Sequence, residues 1–280
     1  VSIGAMIVEH EKPLIPFLKW AGGKRWLVDH VRDIMPTAYD RYVEPFLGGG
    51  ALFFSLCPPR ALLADINFQL IETYRAIQED WIEVQRKLEV HQISHSREYY
   101  YEERSKKRRT AYGRAAQLIY LNRTCWNGLY RVNLAGRFNV PIGTKTSVLM
   151  DADNFEEVAK RLKRAVLLCE DFEQILQQCG AGDFVFVDPP YTVKHNVNGF
   201  VKYNETLFSW DDQVRLQGAI VSAKARGAKV LMTNADHSSV RQLYRGVGTL
   251  RSLERASVLA GDAQYRARVS ELVLTTWEPS

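Results

Sequence analysis

Asp183-Phe184-Val185-Phe186-Val187-Asp188-Pro189-Pro190-Tyr191 is a short apolar run that stops abruptly at an acid, two prolines and a tyrosine. A run of this length with no alternation predicts a strand buried on both faces, as in a parallel sheet. A carboxylate at the carboxyl end of such a strand stands where open α/β sheets bind their ligands. The prolines fix φ and remove two backbone donors, so the carbonyls around them stay available as acceptors. Asp188 and a rigidly held carbonyl together suit an amino group, and Tyr191 offers a face for a planar ring. Taken alone, the tetrapeptide also reads as a plain strand-to-loop corner.

Working outward, the same rhythm of apolar run and amphipathic stretch recurs and predicts an α/β fold. Arg41-Tyr42-Val43-Glu44 runs into Pro45-Phe46-Leu47-Gly48-Gly49-Gly50, a strand followed by glycines that let the backbone approach a ligand. A second strand ends at Asp65, where Rossmann-like folds set an acid against a ribose hydroxyl. AVLLCEDF and AKVLMTNAD are further strands, and SELVLTTW is a last one, on an edge or paired antiparallel. The helix FSWDDQVRLQGAIVSAKARG carries an N-cap at Ser209, a capping-box acid at Asp212 and a stop at Gly227. The glycine spacing is not G-x-G-x-x-G, which disfavours nicotinamide and flavin enzymes. Phe17-Leu18-Lys19-Trp20-Ala21-Gly22-Gly23-Lys24 resembles a phosphate loop but lacks the leading glycine and has Arg25 in place of Ser or Thr, so a P-loop NTPase is disfavoured too.

Almost a hundred residues between the second and third strands break this rhythm. To about Leu121 they read as helical, and beyond it Asn127-Gly128 and Ala135-Gly136 are two hairpin signals. The interval is also where the charge lies. The 280 residues carry a net +5, yet residues 97–145 hold eleven Arg and Lys against three Glu, a balance of +8, so the remaining 231 residues net to −3. Lys106, Lys107, Arg108, Arg109, Arg114, Arg123, Arg131, Arg137 and Lys145 are interleaved with Tyr99, Tyr100, Tyr101, Tyr112, Tyr120, Trp126, Tyr130 and Phe138. Basic groups answer phosphates and flat rings stack on or wedge between bases. A solvated helix face with a Tyr-rich underside has the same composition.

Cys57, Cys125, Cys169 and Cys179 are widely spaced, without metal-ligand spacing or a disulfide framework, and fit a reducing, cytosolic setting. The first residues have neither a basic start nor a long apolar run, and no stretch reaches the roughly 18 apolar residues of a membrane helix, so no signal peptide and no membrane span is expected.

FLKWAGGK, VEPFLGGG, LADIN, LNRTCWNGLYRVNLAGRFNVPIG, CEDF and DPPY, in this order from about Pro16 to Trp277, resemble the Dam-type DNA adenine-N6 methyltransferases, α group, D12 class. The resemblance implies a Rossmann-like S-adenosylmethionine-dependent methyltransferase sheet with an inserted helical and β-hairpin target-recognition domain. It implies catalytic segments 1–75 and 161–280 around an insert at 76–160. S-adenosylmethionine would be touched by Trp20, Lys24, Glu44, Phe46, Gly48, Asp65, Asp171, Phe172 and Asp188. Trp20 and Phe172 also read as core aromatics and Lys24 as a surface charge. Double-stranded DNA would be the substrate, with no metal, acted on by a monomer or weak dimer in the cytoplasm of a bacterium or phage host.

Catalysis would rest on Asp188, Pro189, Pro190 and Tyr191. The target atom is inaccessible inside a duplex, so the base is flipped out. Asp188 and the Pro189 carbonyl would accept the two amino hydrogens, and Tyr191 would stack on the ring. None of the cysteines stands in a Pro-Cys setting, which argues against cytosine-C5 chemistry. The DNA-contacting positions implied by the resemblance are Lys19, Arg123, Trp126, Asn127, Leu129, Arg131 and Pro141, a set like that of GATC-methylating members, with Trp126 as wedge and Arg131 as reader of guanine. Trp126 and Tyr130 depart from Dam itself, which has a smaller aromatic and a small residue there. Lys194, His195 and Lys202 lie in a loop that could close over the target strand or stay exposed, and Arg266 and Arg268 meet phosphate or solvent. Methyltransferases of cytosine N4 or protein glutamine share the fold and the Pro-Pro-Tyr motif, but Asp rather than Ser or Asn at 188 speaks against them. A DNA-binding protein without activity is disfavoured by the intact Trp20, Lys24, Asp65 and Asp188.

Overall fold

A computed structural model describes residues 13–128, 130–132, 138–193, 208–256 and 268–278. The chain divides into two compact units, one of Val1–Arg32, Gly48–Pro59 and Gln69–Ala165, the other of Asp33–Leu47, Arg60–Phe68 and Val166–Ser280. The strands are β1 (Arg41–Glu44), β2 (Ala61–Ala64), β3 (Ala165–Leu168), β4 (Asp183–Val187), β5 (Lys229–Ala235), β6 (Thr249–Ala256) and β7 (Arg268–Thr275). The α-helices among the described residues are α1 (Val28–Ile34), α2 (Ala51–Leu56), α3 (Phe68–Ser94), α4 (Arg97–Ser105), α5 (Ala111–Thr124), α6 (Phe155–Leu162), α7 (Phe172–Gln177), α8 (Trp210–Ala225) and α9 (Ser238–Leu243). None is long and apolar enough to cross a membrane.

The strands form one mixed sheet in the order β3-β2-β1-β4-β5-β7-β6. Its β1 pairs parallel with β2 and β4, and β4 pairs parallel with β5. Every residue of β2 and β4 is buried, as their unbroken apolar runs require. Alternation along the strands sends Val43, Leu62, Ala64, Val185, Val187, Val230, Met232, Leu272 and Leu274 into one core. There they meet Phe172, Ile175 and Leu176 of α7 and Leu216, Ile220 and Ala223 of α8. Each fully buried Val or Leu adds about 1.5–3 kcal/mol. Both signals at Ser209 and Asp212 form a capping box, and Gly227 at φ 95° follows the end of α8. From β1 the chain steps outward to β2 and β3 on one side, and β4 and β5 extend the other, so the order reverses between β1 and β4. Ligands of open α/β sheets bind in the crevice at that point.

One feature of the sheet differs from the sequence expectation. The segment TLRSLERA was not expected as a strand, yet it forms β6 and pairs along its whole length with β7. It is an edge strand with exposed Arg251, Ser252 and Glu254, so its pattern reads as surface rather than core. β7 lies between β5 and β6 and pairs antiparallel with both, the second of the two placements expected for the last strand.

The other described unit is mainly helical. Asp80 breaks α3 with φ −148° and ψ 83°, and its Oδ1 accepts from the Glu83 amide at 3.1 Å, so a new helical run starts there. Ser96, Thr110 and Asn154 cap α4, α5 and α6. Tyr100 and Tyr120 are fully buried, and His91 stacks on Tyr120 at 4.7 Å, so these rings of the basic block form the unit's own core rather than a face for bases. Three of its cations are consumed locally, Arg108 by Glu103, Arg114 by Glu72 and Arg123 by Asp153. Lys106, Lys107, Arg109 and Lys145 remain exposed. Beyond α5, antiparallel bridges join Cys125 to Ile142 and Val132 to Phe138. Ala135-Gly136 falls between those arms, within residues 133–137 that lie outside the described set. Asn127-Gly128 is not a hairpin tip: both have positive φ, and the Gly128 amide donates to the Cys125 carbonyl at 3.2 Å, which makes a turn inside one arm.

Candidate active site at the strand ends

In the sheet-bearing unit, the ends of β1, β2, β3 and β4 bring Glu44, Asp65, Asp171 and Asp188 to one edge of the sheet. Glu44 is buried at the end of β1, and its Oε2 accepts from the Tyr42 hydroxyl at 2.9 Å. Burial, then the Glu44 charge, holds the Tyr42 hydroxyl well above the ordinary tyrosine range. Asp65 follows β2, its amide on the Leu168 carbonyl and its Oδ1 accepting from the Asn67 amide at 2.9 Å. Asp171 caps α7 by accepting from the Glu173 amide, and it also pairs with Arg215 at 2.9 Å. Both of these bonds use Oδ1.

Three rings line the same edge. Phe46 stacks on Phe172 with centroids 5.4 Å apart, and Phe208 packs against both. Phe208 is tied to the loop after β4 by the Thr192 hydroxyl, which donates to its carbonyl at 2.5 Å. Phe172 is 6% exposed and belongs to the core, with the Arg215 guanidinium 4.9 Å from its centroid. Phe172 thus packs as a core aromatic, as one of its sequence readings has it.

Asp188 leaves β4 partly exposed and its Oδ1 accepts from the hydroxyl of Thr233 on β5 at 2.6 Å. Pro189 is buried beside it. Tyr191 donates its hydroxyl to Oε2 of the buried Glu271 on β7 at 2.7 Å. Burial, with the Asp188 and Glu271 charges beside it, keeps that hydroxyl protonated well above the ordinary range. Sequence reasoning missed Thr233 and Glu271. No short motif marks Thr233; for Glu271 the only signal is an acid directly before the apolar run Leu272-Val273-Leu274.

The helical unit holds the remaining candidates. Trp20 lies against the glycine turn, close to Gly48 and Gly49, and stacks on Tyr130 at 5.0 Å. Lys24 is buried, not a surface charge, with Nζ donating to the Gly22 carbonyl at 3.0 Å. Asn122, also unforeseen, ties two motifs together. Its Oδ1 accepts from the Lys19 amide at 2.9 Å, while its Nδ2 donates to the Lys19 carbonyl at 2.8 Å and the Gly128 carbonyl at 3.3 Å. Lys19, Trp126, Asn127, Arg131 and Pro141 are all exposed, Trp126 at 53%. The Trp126 amide donates to the Pro141 carbonyl at 2.9 Å, and Arg131 Nε donates to Asn139 Oδ1 at 3.0 Å. Leu129 lies outside the described residues, as do Lys194, His195, Lys202, Arg266 and the side chain of Arg268.

Arg123 departs from the expectation that it contacts DNA. It is 4% exposed and donates to both oxygens of Asp153 and to the carbonyls of Phe17 and Val148. A guanidinium with its donors satisfied inside the unit holds the fold together and presents no charge to a phosphate. Among the described residues, no group of three or more His, Cys, Asp or Glu side chains is arranged to hold a metal ion.

Residues 20–259 match the model of the family described as D12 class N6 adenine-specific DNA methyltransferase. The type II methyltransferase M1.LlaDCHI of Lactococcus lactis subsp. cremoris is 34% identical over 273 residues, covering 94% of this chain and 96% of that protein. The DNA adenine methylase of Serratia marcescens is 33% identical over 263 residues, covering 92% and 96%. That of Escherichia coli K12 is 30% identical over 261 residues, covering 92% and 93%.

Proposed function

The chain belongs to the D12 class of N6 adenine-specific DNA methyltransferases, and we propose that it transfers a methyl group from S-adenosylmethionine to adenine N6 in duplex DNA at a short site, GATC. The observation that carries the reading is Asp188, a carboxylate at the switch point of the sheet with one oxygen held by Thr233 and a rigid Pro-Pro-Tyr corner after it.

The donor set fits such a cofactor. Glu44 and Asp65, at the ends of adjacent parallel strands, suit an ammonium group and ribose hydroxyls, and Phe46 adds an apolar wall. Asp171 has a second carboxylate oxygen for the adenine amino group. Trp20, Lys24 and Gly48 are assigned to the same ligand from their sequence motifs. When bound, the cofactor supplies a methyl group made electrophilic by its sulfonium charge. Phe172, stacked on Phe46, is assigned with Asp171 to the adenine ring.

The protein's own contribution is positioning and charge. The N6 lone pair is delocalised into the adenine ring, and a flipped base offers it only if its amino hydrogens are engaged. Asp188 and the Pro189 carbonyl accept those hydrogens and draw the nitrogen toward a tetrahedral, nucleophilic form. Tyr191, its hydroxyl anchored, gives the ring a face on which to stack. Residues 76–160 serve as the target-recognition insert between catalytic segments 1–75 and 161–280. Lys19, Trp126, Asn127, Leu129, Arg131 and Pro141 meet the duplex there, with Lys106, Lys107 and Arg109 adding phosphate affinity. The protein acts as a monomer or weak dimer on DNA, in the cytoplasm of a bacterium or phage host.

The test is to incubate random-sequence duplex with methyl-labelled S-adenosylmethionine and to map the modified base with its flanks. N6-methyladenine within GATC supports the proposal. Label on cytosine, or on no base, overturns it, and N6-methyladenine in another context overturns the GATC assignment alone.

A further inference from the structure

The strand register gathers four positions on one face of the sheet. Val187 pairs with Met232, so one step further along the parallel strands Asp188 comes beside Thr233. On the antiparallel side Ala235 pairs with Glu271, and strand alternation turns Thr233 and Ala235 to the same face as Glu271. Thr233 and Glu271 are both buried. A buried carboxylate directly before the run Leu272-Val273-Leu274 costs several kcal/mol of desolvation unless its oxygens are engaged. Here Oε2 of Glu271 accepts the Tyr191 hydroxyl at 2.7 Å, and Thr233 donates to Asp188 Oδ1 at 2.6 Å. The two bonds hold neighbouring residues of one corner, Asp188 through Thr233 and Tyr191 through Glu271.

We propose that Thr233 and Glu271 are positioning residues for methyl transfer, Thr233 holding Asp188 and Glu271 holding Tyr191, each by one hydrogen bond, so that the Asp188 carboxylate and the Tyr191 ring face are presented to the adenine. Thr233 sets the rotation of the carboxylate by occupying one oxygen. Glu271 sets the tilt of the ring by holding its far end. Neither touches the base, so each acts through a residue that does, and loss of either lets the acceptor or the stacking face drift from the geometry that methyl transfer needs.

The inference rests on the adenine-methylation reading, and the experiment separates the two. Single-turnover methylation is measured for Thr233→Val, which keeps shape without the hydroxyl, and for Thr233→Ser, which keeps the hydroxyl. Binding of S-adenosylmethionine and thermal midpoint are measured in parallel. Thr233→Val is expected to slow transfer about ten- to a hundredfold, with donor Kd within about twofold of wild type, and Thr233→Ser to recover most of the rate. Thr233→Val at the wild-type rate overturns the role, as does equal loss in both variants or loss that tracks the thermal midpoint. Glu271→Leu is expected to slow transfer in the wild-type background and to add little in a Tyr191→Phe background, where the hydroxyl it holds is gone. Multiplicative losses there overturn the Glu271 role. A wild-type protein that leaves adenine unmodified defeats the parent reading before any variant is compared; an active wild type indifferent to Thr233→Val defeats this inference alone.

Discussion

A Cβ built on Gly48 would lie 2.8 Å from Cδ1 of Trp20. The glycine turn is therefore shaped by the indole of the preceding motif, and Gly48 itself sits at φ 47°, in the left-handed region that disfavours a side chain. Tyr74 holds the same turn by donating its hydroxyl to the Gly48 carbonyl at 2.9 Å.

Gly48→Ala should cost about 1–3 kcal/mol, from left-handed strain and displacement of the ring. Urea denaturation measures it. Unchanged stability would mean that Trp20 yields freely and does not define the turn.

The buried Arg123 and the partly buried Asp153 form a two-pronged ion pair. Removing one partner leaves an uncompensated charge, so Asp153→Ala should destabilise the protein by about 3–5 kcal/mol. Arg123→Met should destabilise similarly, yet leave the slope of DNA affinity against salt unchanged. A slope reduced by about one would return Arg123 to the phosphate contacts.

Arg131, by contrast, is exposed beside Asn139. Arg131→Ala should relax discrimination at one base position by about 1–3 kcal/mol. Competition between duplexes with single base changes reads this directly, and equal weakening on every sequence would make Arg131 a phosphate contact.

His91 is buried against Tyr120, with Nδ1 2.8 Å from the Tyr99 hydroxyl. Burial, then the charges of Arg108, Lys106 and Lys87, lowers its pKa to about 4. An unfolded histidine binds its proton near pH 6.5. The contribution of neutral His91 is thus complete above that pH and is lost as pH falls through the window toward 4, at up to about 1.4 kcal/mol per unit. Urea midpoints across this range should fall less steeply in His91→Phe than in wild type. Identical slopes would take His91 out of the acid sensitivity.

The strands ending at Glu44, Asp65 and Asp188 were legible because unbroken apolar runs leave no other place for a terminal acid, and α8 was legible from its cap and stop. What stayed hidden has physical causes. The edge strand β6 exposes Arg251, Ser252 and Glu254, so it reads like a loop. The partners Thr233, Glu271 and Asn122 are defined by pairing across the sheet or across a hundred residues of chain, which no local pattern encodes. Arg123 misled because a basic residue in a basic stretch looks solvent-facing until its acid, thirty residues on, is placed beside it.

The most direct test compares wild type and Asp188→Ala on one duplex with labelled S-adenosylmethionine, by nucleoside analysis alongside DNA and donor binding. The account predicts N6-methyladenine from wild type, and from Asp188→Ala near-native DNA binding with transfer at saturating donor slower by at least about a hundredfold. N6-methyladenine formed by Asp188→Ala at a rate near wild type would contradict it.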